Sequence, residues 1–205
     1  HDQMSGDRVF EIIGSPHRIT PERLERGAPI FAARISSLPR PRVAILIGGK
    51  SRAHDLDDVH AHSMAEQIGE AVTSVGGSVM MTFSRRTPPS AAAILTRRLQ
   101  TLPGLIWDGQ GDNPLLAFLK AADHVLVTED STNMATEAAA TGRPVHILSM
   151  TVRGRDTKFR HLHEALIAHG AARYFDGDLT SWTYEPLYET DRAAAAILQA
   201  MAARG

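Results

Sequence analysis

Cysteine is absent from the 205 residues, which excludes a disulfide framework and any thiolate-held metal or cluster. An excess of charge of either sign is absent too. The 22 Lys and Arg stand against 23 Asp and Glu, and a net charge of -1 gives no overall field drawing the chain onto nucleic acid or an anionic membrane. Partners must therefore be read from local sites. No apolar run approaches the ~18 residues that cross a bilayer, and no basic stretch followed by an apolar one opens the chain, so no transmembrane segment is expected. These absences predict a cytoplasmic protein, with attachment at the periphery of the inner membrane left open. Neither G-x-G-x-x-G nor a P-loop occurs, since the first glycine of a P-loop ending at Lys50-Ser51 would fall at Ala44.

What is present is an alternation of two kinds of segment. Arg42 to Gly49 is an unalternated apolar run with β-branched character, the pattern of a central parallel strand covered on both faces. Gly77–Phe83, Leu105–Trp107, Asp123–Thr128 and Pro144–Ser149 read as further strands, and Val9–Gly14 as a short one ahead of them. Between them, helical spacing runs from Asp57 to Val75, from Pro88 to Leu102, from Asn113 onward and from Ser131 to Thr141. Thr20-Pro21-Glu22 opens an earlier helix, and helices over Asp156–His169 and Asp191–Ala203 finish the chain. Strands alternating with helices of this length predict βαβ units and an α/β, doubly wound, Rossmann-like parallel sheet. With 43% hydrophobic residues the chain suits one core with an accessory arm. Residues 1–40 are expected to be an N-terminal arm or the remnant of a preceding domain, and residues 41–205 the sheet domain with its C-terminal helix. Because the sequence opens at His1 and enters directly into structured-looking sequence, a missing N-terminal domain is expected.

Ligands of such sheets lie outside the carboxyl ends of the strands, and there the unusual residues collect. Gly48-Gly49 after the first core strand permits close backbone approach and offers helix-start N–H groups to an anion, although a tight turn explains it as well. Ser84-Arg85-Arg86-Thr87 after the second brings two guanidiniums and two hydroxyls, the equipment for a diphosphate or simply a solvated basic loop. Trp107 to Asn113 reads first as turn residues and an N-cap, with the indole ring available to a base. Thr128-Glu129-Asp130-Ser131-Thr132-Asn133 crowds polar groups at a helix start, where Asp130, Ser131 and Asn133 could meet a phosphate-bearing ligand. Glu137, nearly two turns in among small residues, is placed to accept both hydroxyls of a ribose; otherwise it is an exposed helix residue.

Ser131 through Glu137-Ala138 to Gly142-Arg143-Pro144-Val145 resembles the donor-binding signature of the C-terminal domain of GT-B glycosyltransferases. That resemblance implies a ribose-binding Glu137 and a Gly48-Gly49 turn near the diphosphate. The series Gly14-Ser15-Pro16-His17-Arg18-Ile19-Thr20, Ile47-Gly48-Gly49, Ser84 to Pro88, Asp112-Asn113-Pro114, Thr128 to Ser131 and Glu137-Ala138, with His1-Asp2 at the start, is similar to the mitochondrial-fission ELM family. The likeness implies the C-terminal half of a GT-B-like architecture and leaves the reaction open: a glycosyltransferase-type protein, or a non-catalytic adaptor that keeps the fold. The implied partners are a nucleotide-diphosphate sugar as donor or ligand and an unidentified acceptor, with no separate cofactor, no metal and no nucleic acid. The Tyr-Lys acid/base pair of sugar-nucleotide epimerases has no candidate, since none of Tyr174, Tyr184 or Tyr188 is followed four residues on by lysine.

Two further clusters carry a weaker signal. His54-Asp55-Leu56-Asp57-Asp58-Val59-His60-Ala61-His62 is rich in metal-ligand types but reads as an acidic helix start with exposed histidines. Lys158-Phe159-Arg160-His161-Leu162-His163, after the fifth strand, could reach a distal phosphate or sugar but reads first as a solvated helix face. No residue is singled out as catalytic.

Overall fold

In the computed structural model, residue 6 and residues 9–203 are described. Helices Pro21–Gly27 (α1) and Pro29–Ser36 (α2) precede strand Arg42–Ile47 (β1) and the two-residue strand His54–Asp55 (β2). Helix Asp58–Ser74 (α3), strand Ser78–Phe83 (β3), helix Pro89–Leu99 (α4), strand Gly104–Ile106 (β4) and helix Leu115–Ala121 (α5) follow. Strand His124–Thr128 (β5), helix Thr132–Ala139 (α6), strand Val145–Leu148 (β6) and the short strand Thr151–Val152 (β7) come next. Helix Thr157–Ala168 (α7), strand Ala172–Tyr174 (β8) and helix Glu189–Ala202 (α8) complete the order.

Six strands form one parallel sheet in the order β4-β3-β1-β5-β6-β8, and β2 pairs antiparallel with β7 in a separate ribbon. Counted along the chain, the sheet strands stand third, second, first, fourth, fifth, sixth, the order of the dinucleotide-binding α/β fold. The period of two along each strand divides the core. Ala44, Leu46, Val125 and Val127 face a cluster with Phe118, Leu162 and Leu166, while Val43, Ile45, Ile47 and Leu126 face a cluster with Ile68, Val72, Leu95 and Leu99. Helices α3 and α4 thus cover one face and α5, α6 and α7 the other, so the doubly wound Rossmann-like sheet read from the sequence is the observed architecture.

Val9–Gly14 is not a strand: its backbone pairs with no other strand but lies against helices, the Ile13 N–H donating to Glu189 and the Ser15 N–H to Thr136 Oγ1. Apolar composition alone cannot make a strand where side chains capture the donors. The arm from α1 to α2 packs on α5, with Phe31 edge-on to Phe118 at 6.3 Å between ring centroids and Glu25 paired with Lys120. Helix α8 differs from every other helix. From Ala193 to Ala202 it carries no charge, yet Ile197, Leu198 and Met201 are 60%, 65% and 66% exposed.

Leu126 is fully buried in the middle of the sheet, so Leu126→Ala is expected to lower unfolding free energy by about 2–5 kcal/mol. Leu198→Ala on α8 is expected to change it by less than ~0.5 kcal/mol. Urea denaturation of both variants checks the contrast.

Candidate functional site

The direction in which strands are added reverses between β1 and β5, and the crevice at their carboxyl ends is the topological switch point. Three of its strand ends, those of β1, β3 and β5, meet around one carboxylate. Asp130, its side chain fully buried, accepts the Gly49 N–H at 3.0 Å, the Thr128 hydroxyl at 2.8 Å and the Arg86 guanidinium at 2.9 Å. Gly48 donates its N–H to Thr128 Oγ1 at 2.7 Å, and the Thr87 hydroxyl donates to the Gly48 carbonyl at 2.5 Å. The Lys50 N–H goes to the Arg86 carbonyl at 3.1 Å.

This geometry explains the glycines differently from the sequence. Their N–H groups, read as free for an anion, are already donated within the protein. A Cβ on Gly48 would lie 1.9 Å from Asp130 Oδ1, and one on Gly49 would lie 2.1 Å from the Arg86 carbonyl oxygen. Glycine is required because Asp130 and the Arg86–Thr87 backbone approach that closely. Arg86 is therefore compensated by Asp130, whereas the neighbouring Arg85 is exposed and has no ion-pair or hydrogen-bond partner among the described residues. The Ser84 hydroxyl accepts the Arg86 N–H at 3.1 Å and sits 3.4 Å from Thr87 Oγ1.

Ser131 is the N-cap of α6, its hydroxyl accepting the Met134 N–H at 3.3 Å, as its place before the small-residue helix predicts. Asn133 is exposed and accepts the Ser15 hydroxyl at 2.8 Å, because Gly14 passes so close to Thr136 that a Cβ would be 2.1 Å from Oγ1. Glu137 lies six residues beyond Ser131, about 9 Å along the helix axis. It is half-buried rather than exposed, and has no hydrogen-bond partner among the described residues. Burial raises its carboxyl above the usual range, with the Arg23 charge acting in the opposite sense. Thus Gly48, Gly49, Ser84, Arg86, Thr87 and Asp130 form one bonded group with Ser131 next in sequence, while Asn133 and Glu137 stand further down α6, toward the N-terminal arm.

Beside this group the structure assembles residues that were not linked in the sequence. Glu129, buried at the end of β5, accepts the Met150 N–H at 2.5 Å and lies 3.9 Å from His54 Nε2. His54, read as exposed, is 1% exposed: β2 turns it inward against Phe159, 5.0 Å between ring centroids. His163, read on a solvated helix face, is 1% exposed and reaches Tyr174 Oη at 3.5 Å. Neither His54 Nδ1 nor His163 Nε2 has a hydrogen-bond partner among the described residues. Residues 54, 129 and 163 are far apart in sequence, and only their shared location after β1, after β5 and in the helix after β6 linked them. No group of three or more His, Cys, Asp or Glu fit to hold a metal occurs among the described residues.

A second recess opens past β4. Trp107, Asp108, Gln110 and Asp112, with Ile30, Phe31 and Arg34 of α2, line a cavity of about 370 Å³. The Trp107 Nε1–H donates to the Gln110 carbonyl at 2.8 Å, which fixes the indole as one wall.

Fold and site together define an open, doubly wound Rossmann-like domain whose polar side chains gather at the switch point. The chain belongs to the mitochondrial fission ELM1 family, whose model matches residues 1–201. It is 31% identical over 210 residues to mitochondrial fission protein ELM1 of Arabidopsis thaliana, covering 97% of this chain and 47% of that protein. The chain spans about half the length of the curated relatives it matches. Among solved structures it is similar to a putative UDP-N-acetylglucosamine 2-epimerase of Listeria monocytogenes, with TM-score 0.49, 16% identity, and coverage of 85% of this chain and 42% of that one. It is also similar to a glycosyltransferase of kitacinnamycin, with TM-score 0.48, 17% identity, and coverage of 95% and 41%. The fold assignment rests on the strand order. Among the described residues no helix is long and apolar enough to cross a membrane.

Two predictions follow from this geometry. Gly48→Ala forces the buried Asp130 carboxylate out of its seat and is expected to cost roughly 3 kcal/mol, the scale for leaving a buried charge without its partners, readable as a lowered Tm. Burial also holds His146 and His163 at about 4, below the ordinary 6.5. The unfolded chain then binds more protons than the native state between pH 6.5 and 4, so stability is fully present above 6.5 and is lost as pH falls through that window. Each histidine contributes up to about 1.4 kcal/mol per pH unit, while the raised Glu129 and Glu137 oppose the loss at its lower end. His163→Gln should flatten the fall measured by urea titration at pH 7, 6 and 5; an unchanged slope contradicts the assignment.

Proposed function

We propose that this chain is the donor-binding part of a GT-B-like, glycosyltransferase-type protein, and that the switch-point crevice takes a nucleotide-diphosphate sugar. The observation that carries the reading is the bonded group at the ends of β1, β3 and β5. Asp130 fixes Arg86 at the crevice, with the uncompensated Arg85 beside it and the capped start of α6 adjoining.

In this reading Arg85 and Arg86, with the Ser84 and Ser131 hydroxyls, receive the diphosphate, and Thr87, Gly48 and Gly49 hold those groups in place. Negative charge that develops on a departing nucleoside diphosphate then meets guanidiniums already fixed, so no metal is required. Glu137 accepts the ribose hydroxyls: a half-buried carboxylate lacking a hydrogen-bond partner gains two donors from them. The base enters the recess walled by Trp107, whose ring offers a stacking face. Acceptor and catalytic base come from another part of the protein, and this chain's own residues bind and orient the donor.

A second reading, a non-catalytic adaptor that keeps the fold, is favoured by one observation. The uncharged and exposed face of α8 is a contact surface unrelated to the crevice.

A thermal-shift panel of UDP, GDP and their sugar conjugates tests the choice. A ligand at 100 times its Kd stabilises the native state by about 2.7 kcal/mol, and a rise in Tm that Glu137→Ala and Arg85→Ala/Arg86→Ala abolish supports the donor site. If no nucleotide raises the Tm, the crevice is not a donor site and the adaptor reading stands.

A further inference from the structure

A run of cations unused in the donor reading crosses the same edge of the sheet. Lys50, Arg52, Arg155 and Lys158 are exposed and have no ion-pair partner among the described residues. Backbone bonds make their loops contiguous. The Lys50 N–H donates to the Arg86 carbonyl, while the Arg153 and Gly154 N–H groups donate to the Ala53 carbonyl at 2.7 and 3.2 Å. Gly154 approaches Arg52 so closely that a Cβ would lie 2.5 Å from its carbonyl oxygen. The β2–β7 ribbon thus fixes loops 48–53 and 153–158 side by side, and the four cations form a belt from the end of β1 to the start of α7, adjoining the donor-site Arg85.

The acids of the belt are largely engaged. Asp130 holds Arg86, Asp55 and Asp57 face Arg153 at 3.6 and 3.8 Å, and Asp57 also caps α3; Asp58 and Asp156 remain. Two aliphatic side chains stand exposed in these segments, Val152 in the ribbon at 55% and Val59 in the first turn of α3 at 81%. Thr151 joins the two segments through Asp57, 3.1 Å, and His60, 3.3 Å. On a chain whose net charge is -1, such a belt is a local reversal of sign.

We infer that the belt of Lys50, Arg52, Arg155 and Lys158, with Val152, seats the carboxyl edge of the sheet on an anionic lipid surface. Exposed aliphatic side chains among unpaired cations suit a bilayer interface, where the cations meet phosphate headgroups and the valine enters the headgroup boundary. A small soluble anion would use the cations and leave the aliphatic groups in water. The crevice mouth then opens at the membrane surface.

Co-sedimentation with vesicles of phosphatidylcholine alone, and of phosphatidylcholine with 30 mole percent phosphatidylglycerol as a test composition, examines this directly. Binding is expected only to the anionic vesicles and is expected to weaken as salt is raised, because the Debye length shortens. Each cation near an anionic surface is worth about fivefold in partitioning, so K50A/R52A/R155A/K158A should lower binding by nearly three orders of magnitude, about 600-fold. Val152→Glu should lower it as well. The substituted side chains are exposed, so an unchanged Tm verifies the fold of each variant. Equal binding by wild type and the fourfold variant, no binding to anionic vesicles, or capture of inositol hexakisphosphate or single-stranded DNA without vesicle binding would each overturn the proposal. Nucleotide shifts measured on the fourfold variant keep the two readings apart, since none of its substitutions touches Arg85, Ser131 or Glu137.

Discussion

The buried carboxylate of Asp130 is the constraint on which the edge of this sheet depends. A carboxylate removed from water costs several kcal/mol unless it is paired and hydrogen-bonded, and Asp130 meets that condition with one N–H, one hydroxyl and one guanidinium from three separate loops. Those loops follow β1, β5 and β3, so one side chain fixes the relative positions of three strand ends. The two glycines, the threonines at 87 and 128, and Arg86 are consequences of accommodating it. The same bond leaves Arg86 electrically compensated, whereas Arg85 beside it has no ion-pair partner among the described residues.

The sheet was legible where the physics is local. β1 is buried on both faces and reads as an unalternated apolar run, β3, β5 and β6 follow it as short largely apolar segments, and Thr20, Asp57 and Ser131 act as the N-caps that their positions announce. Segment 9–14 is also apolar yet lies outside the sheet, because Ile13 donates to Glu189 and the adjoining Ser15 to Thr136, each over 100 residues away. β8 is three residues long and two of them are exposed, so neither length nor period marked it. The single helix read after Thr20 divides into two at Ala28-Pro29, where proline cannot continue the ladder of the preceding turn.

The site was legible as a set of loops and illegible as a network. Gly48, Gly49, Arg86, Thr87 and Asp130 were each singled out by residue type at a strand end, and the structure bonds them together. That the partner of the glycines would be an internal carboxylate required knowing which strands are neighbours, and a sequence does not state strand order. His54 and His163 were misread for the same reason. A two-residue strand turns one inward and the face of α7 buries the other, so both lose the water that a helix-start reading assumes.

The crevice and the basic belt share a cause, because both are made by loops that leave the carboxyl ends of parallel strands. In a doubly wound sheet every such loop emerges on one edge, so a residue that binds a ligand and a residue that faces a surface are separated by only a few positions. Gly49 sits against the Arg86–Thr87 backbone inside the edge, and Lys50, one residue on, points a free cation out of it. The sign of the edge therefore changes with depth. Asp130 and Glu129 are buried beneath, Arg86 lies at the mouth, and the unpaired cations lie outside. An approaching anion meets the positive layer first, and the buried carboxylates limit how far its charge can follow. This layering favours a ligand that spreads its negative charge along the mouth and places its neutral parts deeper.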